Sequence, residues 1–326
     1  MKPIIKRQPP PFTIKFELTE GCNLHCGFCG ISSIRRKPGS FRFMTKDTAR
    51  EVIKQLKELK WFPKLDCAMH GEPLMNPDSA EIFDMFREAF PKMYMYVTSN
   101  GGPLLRGKGA TYNIDRLMES LNVIALDDYR YAKIVPRVLK DYKGNYAVKT
   151  YPDIQIYCRQ KFTMKNILIF PDISVNRSIR ARKFNNQAGA AGPADFRFYK
   201  SRCCKPFREI AIKHDGEIVL CCNDWRRYFR LGNLTDVHMG KLWNHPAMRA
   251  ARKVLFHEGR NFSICYGCNS YAYRVGLLPD LSAKHTMGKP SENDRRLIKE
   301  IVKKGSDLEN VYVDSFRDIG MRKVMK

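Results

Sequence analysis

The sequence predicts an α/β chain with a mostly parallel sheet and crossover helices, followed by a smaller unit built on a β-hairpin. Three observations carry this. From residue 13 to 126, strand-like apolar segments alternate with segments of helical period, the pattern of a parallel sheet with right-handed crossovers. Each strand-like segment ends in a polar or cysteine-bearing loop, and active sites of such folds lie at the strands' C-terminal ends. Composition then changes across 177–192, and two alternating apolar segments follow, joined by His214-Asp215-Gly216-Glu217, a hairpin signal.

In chain order, residues 1–12 are basic and proline-rich and are expected to lie extended. The first strand is predicted over 13–18. A loop over 30–44 carries Arg35-Arg36-Lys37 and the turn pair Pro38-Gly39. Thr45 is placed to cap a helix over 46–60, where Ala49, Val52, Ile53, Leu56 and Leu59 recur at helical spacing. The second strand, 65–69, ends in His70-Gly71-Glu72-Pro73-Leu74, a tight turn with a carboxylate. A helix over 79–90, a strand over 93–97 ending in Thr98-Ser99-Asn100-Gly101-Gly102, a helix over 113–120 with Asn113 as cap, and a strand over 122–126 before Asp127 complete the regular part. Beyond 130 the sequence indicates a helix near 130–142 and strands near 152–158 and 166–171. Cys67 and Cys158 sit in apolar strand-like context and read as core. Further helices are predicted at about 246–256 and 291–304.

At 326 residues the chain is long enough for a full core and two domains. No apolar run approaches the ~20 residues of a membrane helix, and Met1-Lys2-Pro3-Ile4-Ile5-Lys6-Arg7 lacks the core of a signal peptide. A cytoplasmic location is expected, where eleven cysteines read as metal ligands before disulfides. The 58 Lys and Arg exceed the 33 Asp and Glu, leaving +25, an excess that favours polyanionic partners. Basic clusters fall at 35–37, 177–183 and 226–230, the last with interleaved aromatics suited to base stacking.

Cys22, Cys26 and Cys29 lie within eight residues at the end of the first strand. Three thiolates are a soft donor set for an iron–sulphur cluster or zinc. A second constellation comprises Cys203, Cys204, Cys221, Cys222, Cys265 and Cys268, with one doublet at each outer end of the hairpin. Its spacing alone fits a four-cysteine zinc site or an iron–sulphur cluster.

The C-x3-C-x2-C loop, with Phe28 before its last cysteine, resembles the radical S-adenosylmethionine (SAM) superfamily. The resemblance implies a partial (β/α)6 barrel over 1–192 and a 4Fe–4S cluster on Cys22, Cys26 and Cys29, whose fourth iron is completed by SAM. It also implies SAM contacts from Phe28, from Gly71, Glu72 and Pro73 of a "GGEP" element whose first glycine is replaced by His70, from Ser99 and Asn100, and from Asp127. The usual Ser-x-Asp is broken there by Ala125. Residues 193–275 resemble the SPASM or "twitch" auxiliary-cluster domain, with an "N-x-x-G"-like linker before it and a basic extension over 276–326. Matching by position implies Cys203, Cys221, Cys265 and Cys268 as ligands of one auxiliary 4Fe–4S cluster, with Cys204 and Cys222 spare. The chemistry implied is reductive cleavage of SAM to a 5′-deoxyadenosyl radical, which takes a hydrogen atom from substrate, with electrons from a donor such as flavodoxin or ferredoxin. The charge favours DNA or RNA as substrate, with Arg35, Arg36, Lys37, Arg180, Arg182, Arg226, Arg227 and Arg230 as contacts. The alternatives are a ribosomal peptide, a small alcohol or sugar undergoing dehydrogenation, and a non-catalytic iron–sulphur nucleic-acid binder. An intact Gly71-Glu72-Pro73 speaks against the last.

Overall fold

The computed structural model describes residues 8–26, 29–31, 40–67, 69–105, 112–129, 133–140, 146–148, 166–170, 188, 190, 202–270 and 288–317. Its sheet follows the predicted alternation. Strands β1 (Thr13–Phe16), β4 (Lys64–Asp66), β5 (Met95–Ser99), β6 (Val123–Asp127) and β8 (Asn166–Phe170) are neighbours in that order, all parallel. A short β7 (Tyr146–Val148), not foreseen from the sequence, pairs parallel with β8 at the edge. The expected strand at 152–158 and Cys158 lie outside the described residues. β2 (Thr19–Glu20) and β3 (Arg42–Phe43) form a separate antiparallel pair beside the cysteine loop.

The helices begin where the capping residues allow. Thr45 accepts a hydrogen bond from the Thr48 amide at the start of α1 (Lys46–Leu59), and Asn113 accepts one from Asp115 ahead of α3 (Ile114–Ser120). These two, with α2 (Ser79–Ala89) and α4 (Ile134–Lys140), cover one face of the sheet. Ile14, Phe16, Leu65, Met95, Val97, Ile124, Leu126 and Ile167 there share a core with Val52, Leu56, Phe83, Phe86, Leu117 and Val135. The other face has its own small apolar cluster, Val123, Ala125 and Leu168 with Tyr94 and Tyr96, which contains no helix residue. Strand alternation sends Thr13, Lys15, Asp66 and Thr98 to this second face.

The hairpin is present and does more than was expected. β9 (Glu209–Ile212) pairs parallel with β1, and β10 (Glu217–Val219) and β11 (Arg230–Asn233) extend it antiparallel. The cysteine-bearing C-terminal segment therefore completes the main sheet, and β1 lies between strands from both halves of the chain. The first hairpin strand begins only at Glu209, because Pro206 lacks an amide for the ladder and sits instead in a helical turn, α5 (Lys205–Arg208). After α6 (Met239–Trp243), α7 (Pro246–His257) and α8 (Ser263–Tyr266), α9 (Glu292–Arg317) outruns its predicted end. Gly305 does not stop it. A side chain there would collide with the Tyr228 backbone, so the glycine marks a close helix-to-loop approach rather than a cap.

Gly71, at φ +90, packs directly on Gly21 in the loop after β1; a Cβ would run into the Gly21 carbonyl oxygen and amide. Gly71→Ala is expected to cost about 2–5 kcal/mol from the left-handed backbone and the overpacking together. The check is a lowered thermal midpoint with loss of iron from the reconstituted protein.

Candidate active site

The first thiol loop leaves β1 and is fastened to the ends of β4 and β5. The Glu72 amide donates to the Gly21 carbonyl at 2.8 Å, immediately before Cys22. The Glu72 carboxylate is buried and accepts from Ser99 Oγ (2.7 Å), the Asn100 amide (2.7 Å) and the Leu74 amide (3.1 Å). Asn100 Nδ2 donates to Asn23 Oδ1 (2.8 Å) and lies 3.5 Å from Cys22 Sγ. Burial pushes the Glu72 carboxyl up to about 7, against these hydrogen bonds, with the Asp127 charge adding to the rise. Gly71, Glu72, Ser99, Asn100 and Asp127 are thus brought together, with Pro73 opening a 3-10 turn behind them. Phe28 is outside the described residues. Cys22 is pushed up to about 12 by burial, then by Glu72, Cys29 and Cys26. Thiols that raise one another's pKa form a site that a cationic iron centre would relieve, and the soft donor set fits a cluster.

The second constellation converges as well. Cys203, Cys221, Cys265 and Cys268 line one cleft with Ala188, Lys205, Asn223, Asp224 and Arg260. Burial pushes Cys203 up to about 12, and holds Cys221 and Cys265 well above the usual thiol range, with neighbouring cysteines adding to each. Two donors reach the sulphurs, the Asn223 amide to Cys221 (3.4 Å) and Asn223 Nδ2 to Cys268 (3.7 Å). Arg260 is buried beside them and donates to the carbonyls of Cys268 and Ser270. Cys204 and Cys222 do not line this cleft. Cys222 Sγ instead meets Lys205 Nζ at 3.1 Å. Four mutually repelling buried thiols with cations alongside suit a polythiolate-bound cluster. Cys67 is buried in the core, as expected.

Among the described residues, the face of the sheet turned away from α1–α4 carries paired charges. Lys15 on β1 is ion-paired to Asp66 on β4, and Lys205 to Glu209 on β9 (3.3 Å), with Cys222 beside the second pair. Burial opposes the Lys15 charge, but Asp66 and then Glu209 outweigh it and hold its pKa above the usual value. Tyr94, Tyr96 and Thr98 continue the surface, the Thr98 hydroxyl donating to Tyr96 Oη at 2.8 Å. None of Lys15, Asp66, Lys205 or Glu209 was singled out from the sequence. The signal available was the alternation Thr13-Ile14-Lys15-Phe16-Glu17, which puts charge on one face of a strand whose other face is core.

His70, the departure from the glycine motif, is buried. Its Nε2 lies 2.7 Å from the Cys222 carbonyl, and its Nδ1 lies 2.6 Å from Lys213 Nζ and 2.8 Å from Glu17 Oε1. A carbonyl only accepts, so Nε2 carries the proton. Burial, and then the Lys213 charge, depress the His70 pKa. The imidazole is neutral, so its Glu17 contact is no ion pair.

Most of the basic stripe at 226–230 is paired within the fold. Arg227 is buried and paired with Glu20 (3.1 Å), Glu217 (3.2 Å) and Asp215. Burial would lower its pKa, and these carboxylates raise it instead. Arg230 pairs with Glu217 at 3.3 Å, Phe229 is in the core, and the Tyr228 backbone packs on α9. Arg226 alone of the five is exposed, and it donates to Tyr228 Oη at 3.2 Å. Arg35, Arg36, Lys37, Arg180 and Arg182 lie outside the described residues.

Comparison with known proteins agrees with this geometry. Residues 16–127 match the family model of the radical SAM superfamily, and 203–269 match that of the SPASM iron–sulphur cluster-binding domain. The S-adenosyl-L-methionine-dependent 2-deoxy-scyllo-inosamine dehydrogenase of Niallia circulans is 20% identical over 267 residues, covering 80% of this chain and 94% of that protein. The crystal structure of BtrN in complex with AdoMet and 2-DOIA is similar at a TM-score of 0.59 and 18% identity, over 81% of this chain and 95% of that one. An open conformation of BtrN is similar at 0.55 and 17%, over 82% and 95%. Among the described residues, no helix is long and apolar enough to cross a membrane. The chain belongs to the radical SAM superfamily and is an enzyme that uses SAM and a 4Fe–4S cluster, with a second cluster in a SPASM region.

Proposed function

We propose that this enzyme oxidises a small, polar, hydroxyl-bearing substrate bound on the sheet face turned away from α1–α4. The observation that carries the reading is the matched wall of charge there: Lys15 with Asp66, and Lys205 with Glu209. Each cation has its own acid, so the wall offers many hydrogen bonds and little net field. It suits a polyol, amino-alcohol or sugar better than a polyanion. The likeness to a protein named as a 2-deoxy-scyllo-inosamine dehydrogenase supports the same substrate class. DNA or RNA, favoured by the +25 balance, finds less support at 226–230, where Arg227 and Arg230 are internally paired.

Cys22, Cys26 and Cys29 would hold the first cluster, and Cys203, Cys221, Cys265 and Cys268 the auxiliary one. When bound, the first cluster and SAM supply a 5′-deoxyadenosyl radical that takes a hydrogen atom, and the auxiliary cluster supplies an acceptor for the electron the substrate gives up. The chain's own residues do the rest. Glu72, fixed by Ser99 and Asn100, presents a carboxylate to SAM's ammonium, and Asp127 lies near enough to be felt by it. Glu209 and Asp66 are placed to orient a substrate hydroxyl and take its proton, and the buried wall excludes bulk water. A flavodoxin- or ferredoxin-type donor would supply the first electron.

The deciding experiment is anaerobic incubation of the reconstituted protein with SAM, reductant and panels of polyols and amino-alcohols, short peptides, or DNA and RNA, read by mass spectrometry. The expected product is a carbonyl two mass units below its alcohol, with 5′-deoxyadenosine in equal amount. Turnover confined to the peptide or nucleic-acid panel would refute the reading. Iron should come to about eight per chain, four from each cluster, and replacing Cys22, Cys26 and Cys29 together by Ala should halve it. Since Glu72 ionises only as pH passes about 7 in the free protein, SAM affinity should rise through that region and level off above it. Glu72→Gln should flatten that profile and weaken SAM binding by roughly 1.5–3 kcal/mol, measured by equilibrium dialysis.

A further inference from the structure

His70 stands between the two cofactor sites. Its ring lies on Trp225 with centroids 4.0 Å apart, and its Nε2–H is bonded to the Cys222 carbonyl at 2.7 Å. Cys222 follows Cys221, whose sulphur lines the auxiliary cleft. On its other side His70 is followed by Gly71, which packs on Gly21, and by Glu72, whose amide bonds to the Gly21 carbonyl at 2.8 Å. Gly21 precedes Cys22. A continuous line of backbone and one rigid ring thus joins Cys221, Cys222, His70, Gly71, Gly21 and Cys22. Neither end has slack: Gly71 leaves no space for a Cβ, and His70 is enclosed. A glycine at position 70, as in the family motif, would leave the turn and the Cys222 loop unconnected by a side chain.

We propose that His70 is a positioning residue through which occupancy of the auxiliary cluster sets the affinity of the first site for SAM. The inference rests on the ligand assignment proposed above and not on the substrate. With the auxiliary cluster in place, Cys221 fixes the loop, the Cys222 carbonyl fixes His70, and the Gly71-Glu72 turn is held against the first thiol loop. Without it, the loop loosens, the ring loses its acceptor, and the turn that presents Glu72 is less well ordered. Coupling of this kind is reciprocal, so SAM should also favour retention of the auxiliary cluster.

The test compares the full-length, anaerobically reconstituted wild type, His70→Ala and His70→Gln, each with and without the pair Cys265→Ser and Cys268→Ser. SAM affinity is read by equilibrium dialysis, and the first cluster's response to SAM by its EPR spectrum. Loss of the auxiliary cluster should weaken SAM binding on the order of tenfold in the wild-type background. It should change little in His70→Ala, which is already weakened. The Gln amide still donates to Cys222 and should restore the coupling. An equal effect in both backgrounds, or none in the wild type, overturns the proposal. If the paired cysteine variants do not fold, the comparison is His70→Ala against His70→Gln with both clusters loaded. Weaker SAM binding and an altered SAM-induced spectrum in the first alone support it, and identical behaviour overturns it. Zinc in place of the second iron centre overturns the ligand assignment and this inference with it, and metal analysis reveals that before SAM is added.

Discussion

Glu17 is fully enclosed at the end of β1, yet its carboxyl is held well below the usual range. Burial alone would raise it. The Lys213 ammonium at 2.6 Å outweighs that cost, helped by hydrogen bonding from His214. A buried carboxylate left without these partners would cost several kcal/mol. The strand that carries the first thiol loop therefore depends on residues almost two hundred positions further on, delivered by the hairpin.

The same pairing repeats outward. Burial would raise Glu20, but Lys213, Arg227 and His214 outweigh it and the repulsion of Glu17, bringing it down to about 2. Arg227 in turn joins Asp215 and Glu217 across the hairpin. On the sheet face turned away from α1–α4, Lys15 with Asp66 and Lys205 with Glu209 form a second balanced set. Lys213 and His214 follow β9, and the Cys222 loop leaves β10, so one hairpin fixes both the charge network and part of the auxiliary cleft. The two cofactor sites are built into a single continuous sheet, and His70 occupies the seam between them.

The regular elements were legible because local physics dictates them. Thr45 and Asn113 cap the helices they were expected to cap. The strands before His70, Thr98 and Asp127 were found within three residues at each end, Met95–Ser99 shifting toward its polar end because Thr98 and Ser99 still pair with β6. Glycine and proline misled where their role is tertiary. Gly305 makes room for Tyr228 inside a helix, and Pro206 opens a helical turn within an apparent strand.

The sequence by itself determined the chemistry: thiol spacing, the Gly71-Glu72-Pro73 turn and the second cysteine set are local patterns, and soft ligands at those spacings admit few uses. Tertiary structure decided which cysteine of each doublet faces the cleft, since neighbours in a chain point apart and spacing cannot tell them apart. It also decided what the charge means. The net +25 has every acid already subtracted and says nothing of place; folding encloses Lys15, Lys205, Lys213, Arg227 and Arg260 among carboxylates and carbonyls. Composition sums charges without knowing where they go, and the field that a substrate meets depends on where they go.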